Sequence, residues 1–193
     1  MLLEARLTTR LILLCSGPTR SSRTGGFPAS DEPLDDGGLR MARRRGALAP
    51  RPGRVLVSPA QVAIDTAQAL GLEGIADPVL ADIDHGSWSG RSFTEVQSSH
   101  PELIENWIMN PASGTPDGET LAAVVARMMP WLADAARSDG TILAITHPMI
   151  IRACLANAIA IPLQATFHID IAPLSTLTLS FNRQWRLQEL ARP

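Results

Sequence analysis

The chain has 193 residues and a mass of 20.7 kDa, enough to bury the core of one ordinary domain and too short for two large ones. Hydrophobic residues make up 45% and charged residues 19%, which excludes a disordered or fibrous chain. The 17 basic residues, all arginine, stand against 19 acidic ones for a formal charge of −2, which excludes a generally basic nucleic-acid binder.

In chain order, the first element is a short apolar run, Leu11–Cys15, which predicts a buried strand. It is far short of the about 20 residues a membrane span needs. The residue before Cys15 is Leu14 and not a small one, so no lipoprotein or signal-peptide processing site is expected. These features predict a cytoplasmic protein with no membrane partner. Gly17–Gly38 is rich in Gly, Pro, Ser, Thr and Asp and reads as a loop. Arg40, Arg43, Arg44, Arg45, Arg51 and Arg54 form the one basic cluster, read as a solvated helix face and linker.

Val55–Ser58 predicts a second strand. Ser58-Pro59 reads as an N-cap with proline in the first turn of a helix running toward Leu70. Asp77–Thr120 holds short helical pieces between turn signals and reads as an insertion covering the strand ends. A helix is predicted from Gly118 to about Arg137, with Leu121, Val124, Val125, Met128, Trp131 and Leu132 at helical spacing and Pro130 kinking or splitting it. Thr141–Thr146 predicts a third buried strand and Pro148–Ala160 a buried apolar helix. Leu174–Phe181 alternates as a strand, and Trp185–Leu190 as an edge strand. The alternation predicts one α/β domain, residues 1–193, with a mainly parallel sheet. Ligands in such sheets bind beyond the carboxyl ends of the strands, here Cys15-Ser16-Gly17, Ser58-Pro59 and Thr146-His147. The two cysteines, Cys15 and Cys154, offer neither a disulfide framework nor a zinc motif, and no metal or other cofactor is expected.

Five blocks occur in order: Cys15-Ser16-Gly17 followed by Asp31-Glu-Pro-Leu-Asp-Asp-Gly37, then Ser58-Pro-Ala-Gln-Val-Ala-Ile-Asp-Thr-Ala67, Asp82-Ile-Asp-His-Gly-Ser-Trp-Ser-Gly90, Pro116-Asp-Gly-Glu-Thr120 and Thr146-His147-Pro148. From Arg10 to Leu190 this pattern resembles the histidine phosphatase superfamily, the phosphoglycerate-mutase-like proteins. The resemblance implies a three-layer α/β/α sandwich. It also implies phosphomonoester cleavage through a phosphohistidine. In the family, the His of an Arg-His-Gly motif attacks phosphorus. Its neighbouring Arg, a second Arg and a second His surround the phosphate, and a Glu protonates the leaving oxygen.

This chain departs at nearly every one of those positions. Ser16 stands at the nucleophile, Cys15 at the first Arg, Val62 at the second Arg and Asp82 at the acid. Pro148 replaces the Gly after the second His, and His147 alone is retained. A phosphate carries about −1.5 to −2 charge near neutral pH, and burying it requires cations and aimed donors. The expectation is therefore a family member with a degenerate centre and little or no phosphatase activity. Its relic pocket would bind a small phosphate ester, another small ligand or a partner, with Cys15, Thr19, Arg20, Arg23, Val62, Glu119 and Pro148 around it and His147, Ser16 and Asp82 at the family's catalytic positions. The chain is expected to be a monomer or homodimer.

Two other readings stand beside this one. In the first the chain is an active hydrolase, phosphomonoesterase or esterase, in which Ser16 faces His147 as nucleophile and base and Asp82 or Asp84 orients the imidazole. The simpler account of Ser16 is a small residue filling the space of a missing His. Cys15 is an alternative nucleophile, but the Cys-to-Arg spacing of thiol phosphatases falls one residue short at Arg20, with Ser21 at the required distance. In the second reading the chain is a scaffold or interaction protein whose pocket is filled by side chains. Arg20 and Arg23 lie in the loop after Gly17 and are candidates for restoring positive potential. The simpler account is that both are solvent-exposed loop charges. His85 is a candidate pocket-lining residue, and Trp88, Trp107 and Trp131 are read as packing residues.

Overall fold

Side chains alternate along a strand, so β1 (Thr9–Cys15) must feed both sides of the sheet: Leu11, Leu13 and Cys15 enter one core cluster and Ile12 and Leu14 the other. That is why its apolar run is unbroken. The computed structural model describes residues 8–46 and 51–193. The remainder of the expected domain, residues 1–7 and 47–50, lies outside the described residues.

The elements in chain order are β1, α1 (Arg20–Thr24), α2 (Asp36–Arg45), β2 (Arg54–Val57), α3 (Gln61–Ala69), β3 (Ile75–Ala76), α4 (Phe93–Ser99), α5 (Pro101–Met109), α6 (Leu121–Ala136), β4 (Gly140–Thr146), α7 (Pro148–Ile159), β5 (Thr176–Asn182) and β6 (Gln184–Ala191), with short 3-10 segments between some of them. The sheet order is β3-β2-β4-β1-β5-β6. Pairing is parallel from β3 through β2 and β4 to β1, and antiparallel from β1 to β5 and β5 to β6. The expected α/β sheet is therefore parallel across β3-β2-β4-β1 and mixed overall. Residues of α6 and α7, among them Leu121, Val124, Met128, Ile151 and Leu155, cover one face. Ala63 and Ala67 of α3 cover the other against Ile12, Leu14, Leu143 and Ile145. These are the outer layers of the three-layer sandwich. Fully burying each large aliphatic side chain contributes about 1.5–3 kcal/mol.

The structure corrects the sequence reading in several places. The loop-like Gly17–Gly38 contains α1 and the start of α2. Both helices are capped by side chains, Thr19 accepting from the Ser22 N–H and Asp35 from the Gly38 N–H. Ser58 is not an N-cap, since α3 starts after Ala60 with no side-chain cap. Pro130 does not split α6, which runs through it. Pro130 and Ala126 are both solvent-exposed, which places the carbonyl that the missing N–H leaves free on the solvent side of the helix. Strand β5 begins at Thr176 and not Leu174, because Leu174 sits at φ 65°, outside the strand region. Arg45 is not a solvated member of the basic cluster: its Nε donates to the Leu174 carbonyl at 2.9 Å. The other five arginines of that cluster are exposed.

Residues 77–120 and the loop after β1 build a small aromatic core of their own. Phe27, Trp88, Val96 and Ile104 are buried together with Trp107 against them. Phe27 lies 4.9 Å from Trp88 and 5.1 Å from Trp107 between ring centroids. Backbone bonds from Phe27 N to Arg91 O at 2.9 Å and from Gly90 N to Phe27 O at 2.8 Å tie the two segments. Trp131 is not part of this cluster. It packs on the α6–α7 core and donates from Nε1 to Asp77 at 2.8 Å. Among the described residues no helix is long and apolar enough to cross a membrane.

Candidate functional site

The carboxyl ends of β1, β2 and β4 open into a pocket of about 810 Å³, within the range of small-molecule sites. Its floor carries Cys15 at the end of β1 with Ser16 and Gly17 after it, Val62 on the first turn of α3, His147 between β4 and α7, and Pro148 at the start of α7; Phe27, Asp82, Asp84, His85 and Trp107 also line it. The pocket is open, so the expectation of a cavity filled by side chains is not met.

Two glycines let its walls close up. A Cβ on Gly17 would lie 2.6 Å from Leu34 Cδ2, and the Gly17 N–H donates to Thr66 Oγ1 at 3.0 Å, tying β1 to α3. A Cβ on Gly118 would lie 2.5 Å from the Asp84 carbonyl oxygen, which accepts from the Glu119 N–H at 2.8 Å. The third and fourth sequence blocks therefore meet backbone to backbone.

His147 is 3% exposed. Its Nε2 lies 2.7 Å from Ser58 Oγ and its Nδ1 lies 3.4 Å from Asp82 Oδ2. Ser58 Oγ also accepts the Ala60 N–H at 3.2 Å, which leaves its O–H to donate to Nε2. The neutral tautomer with Nδ1–H turned toward the Asp82 carboxylate and Nε2 accepting from Ser58 fits this arrangement. Burial pushes the His147 pKa below its ordinary value; the Asp82 charge opposes this and Arg127 adds to it. Burial also lowers His85, against the pull of Asp82 and Asp84. Both histidines take up a proton more readily in the unfolded chain. Stability is therefore full above the ordinary histidine pKa and falls as pH drops from there toward the folded values, by up to about 1.4 kcal/mol per pH unit for each group. A urea midpoint that declines between about pH 7.5 and 5 and declines less in His147→Asn is the expected result; an unchanged slope in that variant contradicts it.

The structure brings some expected site residues together and leaves others apart. Cys15, Ser16, Thr19, Val62, Asp82, His147 and Pro148 all line the pocket. Arg20, Arg23 and Glu119 do not. Arg20 is solvent-exposed on α1, and Arg23 is drawn away into an ion pair with Asp35. Glu119 is paired behind the wall with Arg127 at 2.8 Å. The expected Ser16–His147 pair is not formed, because Ser58 occupies Nε2. Ser16 donates its backbone N–H to Thr146 O at 2.8 Å, and its hydroxyl has no partner among the described residues. The Cys15 thiol is pushed up to about 12, first by burial and then by the Asp82 charge, so it carries no thiolate near neutral pH. Cys154 is fully buried in the core, and burial pushes its thiol up to about 12 against the opposing Arg127 charge.

Ser58 and Arg127 were missed. The signal for Ser58 was its place one residue past β2. The β2–β4 register pairs Val57 with Ile145, which sets Ser58 beside Thr146-His147. Arg127 had only its helical position on α6. It donates to Glu119 and to the carbonyls of Val79, Ala81 and Asp82, holding the segment that carries Asp82.

The profile of the histidine phosphatase superfamily (branch 1) matches residues 11–192, and the chain belongs to that family. The bifunctional protein Rv2228c of Mycobacterium tuberculosis is 31% identical over 179 residues, covering 86% of this chain and 49% of that protein. The chain thus spans about half the length of that curated relative. Phosphoserine phosphatase 1 of Hydrogenobacter thermophilus is 29% identical over 126 residues, covering 63% of this chain and 60% of that one. Among solved structures, the alpha-ribazole phosphatase of Shigella flexneri superposes with a TM-score of 0.82 at 20% identity, over 95% of this chain and 96% of that chain. A mycobacterial glucosyl-3-phosphoglycerate phosphatase does so with 0.80 at 21% identity, over 96% and 100%. These structural likenesses show the fold.

Proposed function

We propose that this histidine phosphatase family member does not carry out phosphohistidine chemistry and that its pocket serves binding instead. One observation carries the reading: among the described residues the pocket wall holds no arginine and three carboxylates, Asp31, Asp82 and Asp84. A phosphate dianion entering this pocket meets like charge with no cation to offset it. At an effective dielectric of about 20, two unit charges 4 Å apart interact by about 4 kcal/mol, so the sign of the wall decides the outcome. The nucleophile position is a serine with no base in contact. The first residue of α7 is Pro148, which has no N–H to offer an anion. His147, the one residue retained among the family's phosphate-handling positions, is held by Ser58.

The test is turnover of p-nitrophenyl phosphate together with a search for an acid-labile phosphoprotein. The expected result is no turnover above that of His147→Ala and no label on the chain. Robust turnover abolished in both Ser16→Ala and His147→Ala would overturn the reading and establish the hydrolase alternative.

A further inference from the structure

The pocket wall is acidic and aromatic where a phosphate site is basic, and from this pairing we infer that it binds a small organic ammonium ion with an apolar body. The inference rests on the reading that phosphoryl transfer is absent from this site. Charge sets the sign of the ligand. Asp31, Asp82 and Asp84 line the cavity. His85 and His147 add no offsetting charge near neutral pH, since burial lowers both. Arg127, behind His147, is committed to Glu119 and to backbone carbonyls. A cation is the complement of such a wall.

A second and independent observation is Ser16. It is 6% exposed, lies in the pocket wall, and its hydroxyl makes no hydrogen bond among the described residues. The unpartnered oxygen is open to the cavity, and an ammonium N–H supplies a bond to Ser16 Oγ as acceptor. The rest of the wall gives the ligand its body. Trp107, half-buried and backed by the buried Phe27 with ring centroids 5.1 Å apart, is the tryptophan of the wall, and aromatic faces attract alkylammonium groups. Val62 and Met149 add an apolar floor. A cavity of about 810 Å³ exceeds what a bare metal ion needs and suits a small organic molecule.

Three probes sharing a phenyl ring test this: phenethylammonium, 2-phenylethanol and phenyl phosphate, titrated at neutral pH by calorimetry and tryptophan fluorescence. Phenethylammonium is expected to bind about tenfold or more tighter than the alcohol, with no binding of phenyl phosphate. Asp82→Asn is expected to weaken the amine about tenfold and Asp84→Asn about threefold, while neither changes the alcohol. Asp84 is exposed and among the described residues its side chain bonds only the Gly86 N–H, so Asp84→Asn tests the charge even if Asp82→Asn fails to fold. Equal affinity for amine and alcohol, or binding of none of the probes, overturns the ammonium inference and leaves the loss of phosphatase chemistry standing. Phenyl phosphate binding tighter than the amine overturns both.

Discussion

A chain carrying Cys15→Arg, Ser16→His, Val62→Arg and Pro148→Gly together is expected to hydrolyse p-nitrophenyl phosphate at least about 100-fold faster than the unaltered chain, because one well-placed donor in such a site is worth about 10²–10³ in rate. All four positions line the same pocket. Their replacements restore two cations, the imidazole that takes the phosphoryl group, and a backbone N–H at the start of α7. The single replacements are expected to gain almost nothing. Residues that act as one unit are strongly non-additive, and an arginine without a nucleophile only binds. A second readout separates true rescue from adventitious hydrolysis: acid-labile phosphate on the introduced imidazole during turnover. A folded quadruple variant with neither turnover nor label would show that these four positions do not correspond to the family's catalytic ones.

The buried framework was legible because its signal is local. Leu11–Cys15 and Thr141–Thr146 are apolar without interruption since both sheet faces are covered, and they fell within two residues of β1 and β4. The motif blocks also located the pocket, because each sits directly beyond a strand or in the segment that closes over it. What the sequence could not show was the direction in which a side chain commits itself. Ser58-Pro59 has the form of a helix start, yet the chain runs two residues further before α3 begins, and that offset frees Ser58 to hold His147. Arg23 and Arg20 lie next to the pocket in sequence, but the acidic cap Asp35 claims one and solvent the other. Glu119 matched a family position and turned out to serve Arg127. Each of these outcomes depends on partners distant in sequence, whose distances only the assembled sheet defines.

Arg127 is where that distant dependence has its largest expected effect on stability. Its guanidinium meets both Glu119 oxygens, at 2.8 and 3.1 Å, and donates to the carbonyls of Ala81 at 2.9 Å, Asp82 at 3.2 Å and Val79. The two side chains are only 25% and 19% exposed, so water cannot readily replace what is lost. Arg127→Met keeps most of the volume and removes the charge, leaving the Glu119 carboxylate and three carbonyls unpaired. A loss of about 3 kcal/mol follows from breaking a largely buried pair, read as a shift in urea midpoint at constant slope. Adding Glu119→Gln to Arg127→Met is expected to recover part of that loss, because the stranded charge is then gone. The carbonyls' share is not recovered, and the segment from Val79 to Asp82 remains loosened, so Asp82 no longer stands firmly against His147. A destabilisation below about 1 kcal/mol, the range of an exposed ion pair, would show that Arg127 is a surface residue without a hold on the pocket wall.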